Sequence, residues 1–464
     1  MDLMRSKKAV IFATILSPVL GLAVWLVTGY VQLQNAESAW NSANYRSASE
    51  SYARAARIFF WRDDLMERAG LAAAAHGDFT TAIDQFERAS ELSEQGWATL
   101  GYSYLSLGAM TPALDAYKRG LQIHDSYALY NGLAHIHGQQ MDWQAERDAL
   151  ENVVRLKPDD ARAHFRLGLL LSFLEPGKAL PELNFASSLD SELIPAFETM
   201  RAALTATAAN ESQRLVLIGR GLGLLQEWNL ALAAFERAVE ADAENAQAWA
   251  WLGEAKQQTG KDGRVELDRA LSLDHTSASV RALRGLYWNR EGRYPQMLAE
   301  YLLAAEFEPE NPAWQASIGD AHVNLGDLVS ALSAYQRAVE LAPSESTYWR
   351  LLAVFCAENG VHIEDIGLPA AEKAVELAPQ DPMALDALGL SYFSSGRFAN
   401  AEQTLMEAIK LAPRYFPAHI HLAMNHLAQG NTAAAFNELT YVRDADKNGP
   451  NGLLAERLLA RYFS

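Results

Sequence analysis

The sequence predicts an all-α protein, a right-handed superhelical solenoid of antiparallel helix pairs preceded by one transmembrane helix. Three observations carry this expectation. Residues 326–343 (GDLVSALSAYQRAVELAP) and 396–413 (GRFANAEQTLMEAIKLAP) place glycine, apolar residues, alanines and a closing proline in register. Segments such as WQASIGDAHVNL (314–325) and LDALGLSYFSS (385–395) precede these as a second helix with its own pattern. Residues 9–31 form an apolar run without a charge.

The N-terminal run, AVIFATILSPVLGLAVWLVTGYV, is long enough as a helix to span about 34 Å, the thickness of a bilayer core. Arg5, Lys7 and Lys8 precede it, and Arg46 is the first basic residue after it. This bias keeps residues 1–8 in the cytoplasm and sends the rest across. A cleaved signal peptide, with Gly21 and Ala23 before the cut, is the competing reading. The apolar VWLV that follows, and the absence of a polar region before such a site, favour an uncleaved anchor.

Beyond the anchor the same pattern returns as GDFTTAIDQFERASEL (77–92), GAMTPALDAYKRGLQI (108–123), EWNLALAAFERAVEAD (227–242) and GRYPQMLAEYLLAAEFEP (292–309). Within one unit, Gly389 and Ala401 are small where two helices must cross closely. Leu385, Leu388, Tyr392, Phe398 and Leu405 are the large side chains that fill the space around them. Gly396 turns the chain and Pro413 ends the second helix. The spacing and these residues resemble the tetratricopeptide repeat, whose period is about 34 residues. The resemblance covers residues 29–448, and a hairpin of this kind buries its apolar face only by stacking on its neighbours.

The domain order that follows is a cytoplasmic tail (1–8), a membrane helix (9–31) and N-terminal repeats (32–191). An irregular helix or joint (192–211), C-terminal repeats (212–448) and a capping helix (449–464) complete it. Residues 192–209 space Leu193, Phe197, Met200 and Leu204 as a helix without the repeat signature. One unit is shortened at GKDGRVELDRALSLD and another carries VHIEDIGLP as an insertion. No linker separates the anchor from the first repeat, so a short, stiff stem is expected.

With 39 Lys and Arg against 57 Asp and Glu, the net charge of −18 argues against nucleic acid as a partner. The single cysteine, Cys356, permits no internal disulfide, no four-cysteine zinc site and no lipid on a cysteine after the apolar run. No catalytic motif is present, and no cofactor is expected. GRGLG (219–223) lies inside a repeat helix with no strand before it, so it reads as packing. His135 with His137, and His419 with His421, are spaced to point to different sides of a helix, which disfavours chelation. His426 stands at a core position. The stretch DADKNGPNGLLAE (444–456) begins like a calcium loop at Asp444, Asp446 and Asn448, but its twelfth position is Ala455. An interhelical turn is the simpler reading. The run IFFW (58–61) either packs under the second repeat or touches lipid headgroups.

In the tetratricopeptide family the first helix of each pair lines a concave groove that binds peptides or proteins. The resemblance therefore implies groove positions at Tyr102, His135, Phe165, Arg166, Leu169, Arg220, Trp251, Glu254, Leu286, Asp320, Asn324, Arg350, Leu390 and Phe393. A Lys/Asn carboxylate clamp is absent. So is an asparagine ladder, whose place is taken by Thr99, Gly132, Arg166, Trp251, Leu283 and Ser317. Arg166, Arg220, Trp251, Asp320, Asn324 and Arg350 are the partner-binding candidates, since Arg and Trp dominate interface energetics. The expected function is a non-catalytic, membrane-anchored scaffold for a protein or peptide partner, with its repeats outside the cytoplasm of a bacterial cell. Binding of a glycan or lipid, or service as the non-catalytic subunit of a glycan-processing enzyme, is the alternative.

Overall fold

The computed structural model describes residues 2–463, with side chains from residue 20 onward. Every regular element among the described residues is helical. The chain forms two compact units, one ending at Ala234 and the other beginning at Phe235.

In the first unit the helices pair in chain order. Helix α1 (Asp2–Asn41) pairs with α2 (Tyr45–Ile58), and α3 (Asp64–Ala75) with α4 (Phe79–Arg88). Next come α5 (Glu94–Ser106) with α6 (Met110–Leu121), and α7 (Tyr127–Gln139) with α8 (Trp143–Leu156). The pair α9 (Ala161–Leu174) and α10 (Pro176–Leu189) follows. Helix α11 (Ile194–Thr205) occupies part of residues 192–211, then come α12 (Glu211–Leu224) and α13 (Trp228–Ala241), and the units divide within α13.

The second unit continues with α14 (Ala246–Gln258) and α15 (Arg264–Leu273), then α16 (Ala278–Arg290) and α17 (Tyr294–Phe307). Helices α18 (Pro312–Asn324) and α19 (Leu328–Leu341) pair, as do α20 (Ser346–Asn359) and α21 (Leu368–Leu377). The last pairs are α22 (Pro382–Ser394) with α23 (Phe398–Leu411) and α24 (Phe416–Ala428) with α25 (Thr432–Ala445). Helix α26 (Pro450–Tyr462) covers the final pair, burying Ala455 and Leu459 against Leu439 and Val442.

One packing device repeats along the chain. A small residue on the first helix of a pair receives a large side chain from the second. Gly70 faces Phe86, Gly101 faces Tyr117, Gly319 faces Tyr335 and Gly389 faces Leu405, and in each case an added Cβ would overlap the large side chain. These glycines cost helix propensity, about 1 kcal/mol each, which the close crossing offsets. Helix starts are equally regular. Asp78, Asp142, Asp160, Asp327 and Asn431 each accept a hydrogen bond from a backbone N–H in the first turn, worth about 1 kcal/mol per cap. The turn inside a pair needs a left-handed residue. Gly396 supplies it at φ 76°, whereas Met141 and Gln226 adopt it at φ 57° and 62° as strained substitutes.

The irregular units have local causes. Helix α11 rests on α12 through Met200, which is fully buried beside Gly221. The inserted VHIEDIGLP winds into a π turn at Ile363–Gly367, and Gly367 closes on the Cβ of Cys356. Burial pushes the Cys356 thiol up to about 11, which leaves it unreactive near neutrality.

The expected membrane span falls partly on residues 9–19, whose side chains lie outside the described residues. Among the described residues no helix is long and apolar enough to cross a membrane. The backbone of α1 is continuous from Asp2 into the first repeat, without a break at the end of the apolar run.

Candidate functional site

A concavity lies in the first unit, a cleft of about 1250 Å³ open to solvent along α5, α7 and α9. These are the first helices of three successive pairs. Its walls carry Tyr102, Asn131, His135, Gln139, Arg162 and Arg166. Each helix contributes a row spaced by four residues: Ala98 and Tyr102 on α5, Asn131 and His135 on α7, Arg162 and Arg166 on α9.

The polar groups of this cleft divide into committed and open. Arg166 is committed: its guanidinium donates to both oxygens of Glu146 at 2.7 and 3.2 Å and to Glu227 at 3.1 Å. Burial works against this charge, but the hydrogen bonds of Glu146 and then Glu227 outweigh it and raise the pKa above its ordinary value. Tyr127 donates to Asp160 at 2.7 Å, and that hydrogen bond, with burial, pushes the phenol up to about 12. Gln139 and His135 lie 2.9 Å apart through their side-chain nitrogens. Tyr102, Asn131 and Arg162 are exposed, and among the described residues none of their side-chain polar groups has a hydrogen-bond or ion-pair partner. The Tyr102 ring is held edge-on by Phe79 at 5.7 Å.

Of the six partner-binding candidates, Arg166 alone lines this cleft. Arg220 lies exposed on α12. Trp251 is half-buried on α14 with its ring stacked on Phe235 at 6.0 Å and 18°. Asp320 accepts a hydrogen bond from the Tyr335 hydroxyl at 2.5 Å, and Asn324 donates to the Asp320 carbonyl at 3.0 Å. Arg350 is half-buried on α20 and, among the described residues, has no carboxylate within ion-pair range. Its charge acts on Tyr415, which hydrogen-bonds Asp386 at 3.3 Å.

The residues of the calcium-like stretch are used locally. Asp444 pairs with Arg443 at 2.8 Å, and Asp446 accepts from the backbone N–H groups of Asn451 and Gly452 at the start of α26. Among the described residues no three acidic, histidine or cysteine side chains come together to hold a metal. The histidines also take separate partners. His419 bridges Glu438 at 2.6 Å and the Pro413 carbonyl at 3.0 Å, while His421 pairs with Asp386 at 2.7 Å.

Asn131 and Arg162 escaped the sequence reading, although a signal for them existed. Each stands four residues before a residue assigned to the groove, His135 and Arg166, and so shares its helix face. Extending each assigned position by one turn finds both.

Comparison with known proteins agrees with this architecture. Two models of the tetratricopeptide repeat match the sequence, one over residues 67–128, 217–261, 290–346 and 316–382, the other over 384–415. Together they cover half of the chain. The peroxisomal targeting signal receptor of Kluyveromyces lactis is 24% identical over 219 residues, 39% of this chain and 38% of that protein. The human PEX5-related protein is 24% identical over 241 residues, 50% of this chain and 35% of that protein. A human protein O-mannosyl-transferase, TMTC1, is 25% identical over 176 residues, 38% of this chain and 20% of the relative. The chain thus spans less than two fifths of the length of these curated relatives. The crystal structure of yeast Tom70 aligns at a TM-score of 0.39 and 16% identity, covering 79% of this chain and 95% of that one. By the matched repeats and the stacked helix pairs that they form, the chain belongs to the tetratricopeptide repeat family.

Proposed function

We propose that this chain is a non-catalytic scaffold that holds an extended segment of a partner polypeptide in the cleft of its first unit. The observation that carries this reading is the set of polar groups left uncommitted there. Asn131 offers an amide donor and acceptor suited to a peptide bond, Tyr102 offers an exposed ring, and Arg162 offers a cation for an acidic side chain. A folded chain satisfies its buried polar groups internally, so a row of open ones in a concave wall is available to a ligand. The likeness to a targeting signal receptor supports a polypeptide as that ligand.

The scaffold reading includes the membrane. Residues 9–31 anchor the chain, residues 1–8 stay in the cytoplasm and the repeats lie outside it, where they organise a cell-envelope complex. The support is the uncharged run and the basic residues before it. Arg166, Arg220, Trp251, Asp320, Asn324 and Arg350 remain candidate contacts within this reading.

The test is binding of the full chain, in lipid nanodiscs, to arrays of peptides and of glycans. Arg162→Glu and Tyr102→Ala are expected to weaken the best peptide at least about tenfold, or ~1.4 kcal/mol, the scale of a hot-spot contact. Arg350→Ala and Trp251→Ala, tested beside them, locate the contact if it lies in the second unit. Peptide binding untouched by the first pair of changes overturns the cleft assignment. Selective binding to glycans overturns the polypeptide.

A further inference from the structure

We infer that the α2–α3 turn is a second membrane contact, in which Phe60 and Trp61 insert into the headgroup boundary of the bilayer that holds α1. This inference rests on the anchor reading of residues 9–31. The pair is conspicuous for its exposure: Phe60 is 75% and Trp61 54% accessible, and their rings meet edge-on at 5.1 Å. The two residues before them do the opposite. Ile58 and Phe59 turn back onto α1, where a Cβ on Gly29 would come within 2.5 Å of Ile58 and 2.8 Å of Phe59. The IFFW run is therefore split, half holding the turn against the stem and half pointing away from it.

That contact sets the height of the turn. Gly29 lies two residues before the end of the uncharged run at Val31, about 3 Å along the helix axis. Phe60 and Trp61 are therefore fixed beside the place where a spanning helix leaves the hydrocarbon and where Trp and Tyr concentrate. Tyr30, on α1 itself, is exposed at the same level.

The surroundings favour lipid over a protein as the occupant. Leu20, Leu22, Val24, Trp25, Val27 and Val31 are all exposed. At about 100° per residue Leu20, Val24, Val27 and Val31 form one stripe of α1, and Leu22 and Trp25 stand on the opposite side. A protein partner would cover one face; exposed apolar side chains on opposite faces call for an apolar medium. Charge points the same way. Arg57, one turn before the aromatic pair, is exposed, and among the described residues its guanidinium donates only to the Ala53 carbonyl of its own helix, at 3.4 Å. It remains available to an anionic headgroup, unlike Arg62, whose guanidinium is paired with Asp64 at 2.7 Å.

The test places a nitroxide label at Phe60→Cys, or separately at Val24→Cys, in the full chain reconstituted into nanodiscs of phosphatidylethanolamine and phosphatidylglycerol. Both positions are exposed, so labelling spares the core, and the native Cys356 is buried. Power saturation then compares collisions with oxygen, which partitions into lipid, and with a water-soluble nickel chelate. The expected result is oxygen dominating at both positions, with Phe60 within about 5–10 Å of the headgroup boundary. Oxygen dominating at Val24 but the chelate at Phe60 overturns the second contact and leaves the anchor standing. The chelate dominating at both overturns the anchor and the contact together.

Discussion

The two units use the same helix pairs and show two uses of the polar side chains that packing leaves free. In the cleft of the first, Tyr102, Asn131 and Arg162 stand open. In the second, Arg350 apart, charged side chains on α14 and α16 are tied to neighbouring helices. Glu300 on α17 receives Arg281 and Arg284 from α16 at 2.9 Å each, and Arg284 also pairs with Asp268. Glu254 on α14 is buried under Arg290 of α16 at 2.6 Å, and Glu266 takes Lys256 at 2.6 Å. Helical repeats leave such positions unspecified by packing, so they serve either to register one repeat on the next or to meet a ligand. Whether a partner lies within reach in the folded chain tells the two uses apart.

The sharpest way to break this comparison is to remove one charge of each kind. Glu300→Ala removes the carboxylate shared by two guanidiniums, each less than one-seventh exposed, leaving Arg284 with Asp268 and Arg281 with the His275 carbonyl. Breaking a buried pair in this way costs about 3–5 kcal/mol. Amide exchange in α16 and α17 should accelerate accordingly, a local measurement suited to an array whose unfolding need not be two-state. Arg162→Ala, by contrast, should change stability by less than about 0.5 kcal/mol, as at an ordinary surface site, while losing peptide. A large loss of stability at Arg162 would show that the open set is structural after all.

A smaller effect is expected where shape rather than charge separates the units. At equivalent positions the first unit has Gly132, half-buried in the cleft wall, and the second has Leu283, buried in a core cluster. A Cβ on Gly132 would overlap the Tyr117 ring. Gly132→Ala should therefore cost about 1–3 kcal/mol from overpacking, read as a lowered denaturation midpoint. It should also move the Tyr117 ring, which lines the cleft, and so weaken peptide binding.

The repeat architecture was legible because its determinants are local and recur: Gly389 and Leu405 stand at a spacing that other pairs along the chain share. The cleft was legible in part. The family resemblance implies a groove face for Tyr102, His135 and Arg166, and all three line the cleft along α5, α7 and α9. It says nothing of Glu227, 61 residues from Arg166, whose arrival neutralises the arginine. Nor does it say that Trp251 stacks on Phe235. The resemblance of residues 444–456 to a calcium loop came from composition alone, and Asp446 instead caps α26. Charge pairing between helices is a property of the fold, so a sequence period reveals where a side chain faces and not what meets it.

The finest test uses pH to sharpen the contrast within the second unit. His421 on α24 is half-buried beside Asp386 of α22, and Tyr415 and Glu358 add to the same neighbourhood. Burial opposes its charge, yet the Asp386 hydrogen bond and charge prevail, so its pKa is raised above the ordinary 6.5. The folded state then binds the proton more tightly than the unfolded one. The stabilisation is complete below the unfolded pKa and is lost as pH rises through the folded value. Stability of α22–α24, followed by amide exchange corrected for intrinsic rates, should fall between pH 6 and mildly alkaline pH by about 1 kcal/mol, the net worth of one hydrogen bond. In His421→Gln that fall should disappear while the exchange of α5–α9 keeps its wild-type pH dependence. A fall that persists in the variant would assign the proton elsewhere, and would remove the Asp386–His421 pair from the set that registers the second unit.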